Sequence, residues 1–161
     1  MRWYVSIGAA LGAAILLGGD VSGIAAPNLA SQLAQRGSEA QVDVELVLAV
    51  DVSYSMDMEE LAIQREGYAE AVTSKEFLQA LKSGPHGKVA VTYFEWAAAQ
   101  DQKVIIPWRI VDGPETADAV ASEIMKAPLR RASRTSISCA INFGMRLLGE
   151  NPYKGLRRVI D

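Results

Sequence analysis

One cysteine and one histidine are the whole supply of thiol and imidazole in this 161-residue chain. The lone Cys139 excludes an intramolecular disulfide, and with the lone His86 it leaves too few ligands for the usual tetrahedral zinc site. The same scarcity removes a Ser/His or Cys/His catalytic pair unless His86 comes to lie beside a nucleophile. Its setting, Ser83-Gly84-Pro85-His86-Gly87, reads as an exposed turn. Cys139 falls on an apolar helical stretch and reads as a small core residue. Positive charge is also scarce. Sixteen Lys and Arg stand against 19 Asp and Glu, and the resulting charge of −3 lacks the basic face of a general nucleic-acid binder. Arg130, Arg131 and Arg134 form a small basic cluster that reads as a solvated loop. No internal repeat and no low-complexity block is present. What remains is ordinary globular composition, half hydrophobic and 22% charged, enough for one domain with one core.

The amino terminus reads as a leader. Arg2 precedes an uncharged stretch from Trp3 to Gly19, and Gly23-Ile24-Ala25 resembles a signal-peptidase site, which makes residues 1–25 a signal peptide. Its apolar core, Val5 to Leu17, is shorter than the ~20 residues of a spanning helix. Export to the periplasm or medium, with no stable membrane span after cleavage, is therefore the expectation; the alternative is an uncleaved anchor. Residues 26–41 are polar and Ala-rich and read as a linker.

Beyond the linker the pattern is α/β. Val42 to Val50 begins with strand-like alternation and turns continuously apolar, as a central strand buried on both faces does. Met58, Leu61, Ala62, Ala69 and Val72 then fall on one face at helical spacing. Thr73 with Glu76 suggests a capping box that opens a short second helix, stopped by Gly84-Pro85. Two β-rich runs, Lys88–Trp96 and Lys103–Val111, are joined by a link too short for a crossover helix, so they must form an antiparallel hairpin. Asp112-Gly113-Pro114-Glu115 opens a helix with Ala117, Val120, Ala121 and Ile124 inward. A further helix begins near Thr135, carrying the stripe Ile137, Ala140, Ile141, Gly144 and Leu148. Asn151-Pro152 ends it, and Leu156 to Asp161 starts another strand. That strand carries only Val159-Ile160 as an apolar core, against a usual ~5–6 residues, which suggests a chain truncated within its fourth strand.

The chemistry concentrates in Asp51-Val52-Ser53-Tyr54-Ser55, where the first strand runs out. Open α/β sheets bind ligands beyond the carboxyl ends of their strands. A carboxylate and two hydroxyls at alternate positions form an oxygen-only set, the preference of a hard divalent cation. The competing reading is helix capping, for which Ser and Asp are common residues. Asp57, Glu59 and Glu60 follow in a first helical turn, where acids favour the dipole, and read as solvated. Trp96 and Trp108 flank the hairpin and read as packing residues.

Asp51-x-Ser53-x-Ser55 after the first strand, followed by an amphipathic helix and a hairpin, resembles the von Willebrand factor A (vWA) domain family. Arg134-Thr135-Ser136-Ile137-Ser138-Cys139-Ala140-Ile141 is similar to that family's Gly-Thr-x-x-x-x-Ala-Leu segment, and Tyr93-Phe94 matches its aromatic second strand. Within the superfamily the chain looks closest to a group of secreted bacterial A-like domains of unknown function. The resemblance covers 42–161 and implies a doubly wound, mostly parallel sheet with one antiparallel edge strand. It implies a metal-ion-dependent adhesion site (MIDAS) in which Asp51, Ser53, Ser55 and Thr135 hold Mg2+ or Mn2+ and a partner protein supplies a Glu or Asp carboxylate. Thr135 has a second reading, as a helix cap. Two departures stand out: Arg134 replaces the family's common Gly, and the third-loop Asp is unmatched, Asp161 being the one candidate and the expected place lying a few residues further on.

An enzymatic alternative is a phosphotransferase or phosphatase with Asp51 as nucleophile, since haloacid-dehalogenase-like phosphatases keep theirs at the end of the first strand. Those enzymes place a second Asp two residues later as acid/base, where this chain has Ser53. A structural domain with a degenerate site is the third reading. Binding without turnover is the expectation.

Overall fold

The computed structural model describes residues 40–161. Residues 1–25, read as a signal peptide, and nearly all of residues 26–41, read as a linker, lie outside the described residues. Strand β1 (Ala40–Asp51) already includes the linker's last two residues, Ala40 and Gln41. It is followed by helices α1 (Met58–Thr73) and α2 (Lys75–Ser83), the hairpin β2 (Val89–Trp96) and β3 (Gln102–Val111), helices α3 (Pro114–Lys126) and α4 (Ile137–Gly149), and β4 (Tyr153–Ile160).

The sheet order is β3-β2-β1-β4. β1 pairs in parallel with both β2 and β4, and β3 lies antiparallel on the edge, so the fold is a mixed α/β sheet as the sequence led us to expect. Pro107 sits within β3 because that strand is an edge and because the ladder slips there: Val91 pairs with Arg109 and Tyr93 with Ile106. Two residues thus oppose Thr92, and a proline lacking its N–H fits such a bulge. Thr92 Oγ1 donates to the Ile106 carbonyl at 2.8 Å, which secures the irregular step.

Helices cover both faces. On one, Leu48, Val50, Val91, Tyr93 and Ile106 pack under α1, α2 and α3 through Ala69, Val72, Leu81, Val120 and Ile124. On the other, Val47, Phe94 and Trp96 meet Ala140 and Leu148 of α4. β1 and β2 are therefore buried on both faces, which is why their sequences run apolar. Trp96 and Trp108 pack as expected, Trp108 edge-on to Tyr153. Among the described residues no helix is long and apolar enough to cross a membrane.

Several local expectations are corrected. Thr73 does not open α2; it ends α1, its hydroxyl donating back to the Ala69 and Glu70 carbonyls at 3.1 Å. Ser74 is the cap instead, accepting from the Phe77 N–H. Met58 is exposed, and the buried line of α1 runs through Leu61, Arg65, Ala69 and Val72. On α4 only Ala140, Gly144 and Leu148 of the stripe are buried, while Ile137 and Ile141 face outward. Gly144 lets the helix close on the sheet, since a Cβ there would lie 2.9 Å from Ile160 Cδ1. Cys139 is half-buried rather than in the core. β4 starts at Tyr153, three residues before Leu156, so its short apolar segment does not mean a short strand.

Candidate functional site

Three segments converge at the carboxyl end of the sheet: the β1–α1 loop, the β2–β3 loop, and the link from α3 to α4. Val52 N–H donates to the Trp96 carbonyl at 2.9 Å, and Ala132 N–H to the Val52 carbonyl at 2.9 Å. Ser53 and Ala132 form an isolated parallel bridge. Ser136 N–H donates to the Ala97 carbonyl at 2.8 Å. Beneath these links Val52, Leu61 and Ala97 form a small apolar floor, with Met56 and Ala132 against it. The segment bearing Thr135 is thus tied to β1's end on one side and to β2's on the other.

Within the first loop, Ser53 N–H donates to Asp51 Oδ1 at 2.7 Å, and the Ser53 and Ser55 hydroxyls lie 2.9 Å apart. Ser53 is buried, Asp51 half-buried and Ser55 exposed, so the group grades from floor to surface. None of the three caps α1. Asp57 does, accepting from the Glu59 and Glu60 N–H groups at 2.8 and 2.9 Å, while Glu60 Oε2 accepts from the Asp57 N–H. Asp57 and Glu60 therefore have work of their own as a capping box. Likewise Thr135 is not the cap of α4; that position is Ser136, and it makes no side-chain capping bond. The capping alternative is absent at Asp51, Ser53, Ser55 and Thr135 alike.

Asp161 stands apart. Ile160 pairs with Val47, which puts Asp161 level with Leu48, three positions before Asp51 on β1 and ~10 Å from its level at the rise of a strand. Its carboxylate makes a long 3.5 Å contact with the Tyr68 hydroxyl. Burial first, and then this carboxylate, raises the Tyr68 pKa. His86 is further still. Its ring Nδ1 and its backbone N–H both lie 3.0 Å from Asp43 Oδ1, eight positions before Asp51 and ~26 Å away along the strand. Burial pushes the Asp43 carboxyl up, but the N–H groups of His86 and Lys88 with the His86 ring outweigh it and hold it below its ordinary value. No imidazole therefore serves the site.

The sequence reading missed a buried ion network directly below these loops. Glu95 is fully buried in β2 and accepts from Arg65 Nη2 and from Arg130 Nε, the latter at 2.8 Å. Arg65 also donates to the Ala127 carbonyl, and Arg130 to Asp101 Oδ1 at 2.8 Å and the Glu95 carbonyl at 3.1 Å. Arg130 is thus no solvated loop residue: it joins the α3–α4 link to the hairpin. Arg131 donates to the Tyr54 carbonyl at 2.9 Å and lies over the Tyr54 ring, 5.0 Å from its centroid. Two signals were available. Arg65 interrupts the apolar line of α1 between Leu61 and Ala69, and Glu95 interrupts the apolar run of β2. Charges in such places need each other.

Among the described residues no three His, Cys, Asp or Glu side chains gather as a metal site. The oxygens available are those of Asp51 and the hydroxyls, a donor set that suits Mg2+ or Mn2+ rather than zinc.

Comparison with curated proteins gives no match. Solved structures similar to the chain include the vWF domain of the type V pili tip protein Mfa5 from Porphyromonas gingivalis, at 12% identity and TM-score 0.48, covering 74% of this chain and 36% of that one. Proximal thread matrix protein 1 from the mussel byssus is another, at 17% identity and TM-score 0.46, covering 67% of this chain and 25% of its own. The chain thus spans about a third or less of these structures. By sequence, residues 41–161 match the family described as Protein of unknown function (DUF1194), and the chain belongs to that family.

Proposed function

We propose that this chain is a vWA-like binding module whose Asp51, Ser53, Ser55 and Thr135 hold one divalent cation, Mg2+ or Mn2+, through which a partner protein's Glu or Asp is recognised. The observation that carries this reading is that none of the four side chains caps a helix. Asp57 caps α1, Ser136 occupies the cap position of α4, and the two serine hydroxyls stand 2.9 Å apart on a loop shaped by Asp51. Asp51 accepts the Ser53 N–H, and the Ser53 and Ser55 hydroxyls lie side by side on the same loop. Thr135 lies on a separate segment anchored at Ala132 and Ser136. A cation held by few anionic ligands retains positive charge and attracts a carboxylate. Residues 1–25, read as a signal peptide, support action in the periplasm or outside the cell.

Binding is favoured over phosphoryl transfer because Ser53 occupies the place of an acid/base, and its buried hydroxyl is engaged with Ser55. Isothermal titration of the full chain with Mg2+ and with Mn2+ tests the site. We expect saturable binding that is lost in Asp51→Ala and weakened in Asp51→Asn, which keeps the Oδ1 acceptor for Ser53. Thr135→Ala should weaken partner binding without unfolding, and EDTA should reproduce Asp51→Ala. Unchanged metal binding in Asp51→Ala would sink the assignment, and phosphatase turnover lost in the same variant would replace it with the enzymatic one.

A further inference from the structure

Arg130 and Arg131 are committed to Glu95, Asp101 and Tyr54, but the third arginine of the cluster is not. Among the described residues Arg134 makes no ion pair and no hydrogen bond, and it is exposed. Its backbone lies at φ 70°, the left-handed region where glycine is at ease and a long side chain is strained. Arg134 lines a recess of about 480 Å3 together with Ala98, Ala99, Gln100, Thr135 and Ser136. Among the described residues no carboxylate lines that recess, and the first turn of α4, which opens from it, carries no acid. The Ser136 side chain makes no capping bond and is free to donate. A free guanidinium, an amide, two hydroxyls and a helix start with no acid of its own all favour an anion, and a planar fork favours a carboxylate.

We propose that this recess takes a carboxylate on Arg134, and that, with a cation on the neighbouring Thr135 site, the recognised partner segment is therefore diacidic. One carboxylate meets the metal and a second meets Arg134. The diacidic part rests on the metal reading above; the recess does not, because Arg134 acts without metal. Small acids are suitable probes. In EDTA, acetate should shift the amide resonances of Arg134 to Ser136, and Arg134→Gln should abolish this. With Mg2+ present, glutarate or adipate should bind about tenfold more tightly than butyrate, the value of one additional charge-assisted contact. Arg134→Gly and Arg134→Gln should erase that preference while leaving the Mg2+-dependent part of butyrate binding unchanged. Arg134→Gly should melt no lower than wild type, since the strain is relieved. A structural role for Arg134 predicts the reverse, a lower melting temperature with the preference kept. Acetate that leaves these resonances unmoved in EDTA overturns the recess. If acetate binds there but Mg2+ does not bind the chain, the metal reading and the diacidic partner fall and the recess stands. Mg2+ binding with no preference for the diacid overturns the diacidic partner alone.

Discussion

Removing the Glu95 carboxylate isolates its consequences well, because the group is completely buried and answers two arginines at once. Glu95→Ala leaves the Arg65 guanidinium, whose side chain is only 6% exposed, facing β2 without a counter-charge. Breaking a buried pair from one side costs ~3–5 kcal/mol, since the surviving charge stays desolvated. Arg130→Ala should cost less, ~1–2 kcal/mol, because its side chain is 22% exposed and Glu95 keeps Arg65. Losses of the first size are a large part of the ~5–15 kcal/mol that holds a domain folded. Urea unfolding of the full chain, followed by circular dichroism, measures both. The Glu95–Arg65 pair should also show a coupling of ~0.5–3 kcal/mol in a double-mutant cycle with Arg65→Met. If Glu95→Ala lies within ~1 kcal/mol of wild type, or costs no more than Arg130→Ala, the network does not carry the weight its burial implies.

Two further outcomes follow from the same structure. Asp57→Ala removes the capping box of α1 and should cost ~1 kcal/mol while leaving Mg2+ affinity intact; lost affinity would make Asp57 a ligand. Burial, and next the Glu95 charge, raises the Tyr93 pKa above the ordinary 10.0, and burial does the same at Tyr68. Above pH 10 the unfolded chain then binds fewer protons than the folded one, so stability is fully present below pH 10 and falls as pH rises beyond it. Melting temperatures across this alkaline range should drop, and less steeply in Tyr93→Phe; a flat profile would contradict the burial.

Periodicity and local chemistry alone determined much of this molecule. The apolar run of β1, the short link that forces β2 and β3 into a hairpin, and the inward line Ala117, Val120 and Ile124 are all properties of neighbouring residues, and the fold preserves them. Asp51, Ser53 and Ser55 stand out as candidates for the same reason: alternation at a strand end is a local pattern. Thr135 is a candidate only by resemblance, and its segment is tied to Ser53 through the Ala132 bridge, a contact between residues far apart in the chain. Tertiary structure alone decided which side chains cap the helices. Ser74 rather than Thr73 caps α2, and Asp57 rather than Ser53 or Ser55 caps α1, because capping depends on backbone geometry that composition does not encode. It also decided the fates of three similar arginines. Arg130 meets Glu95 across 35 positions and Arg131 meets Tyr54 across 77, while Arg134, beside Thr135, has no partner among the described residues. A charge in a sequence has no partner until folding supplies one, and the partner decides whether that charge holds the structure together or remains available to a ligand.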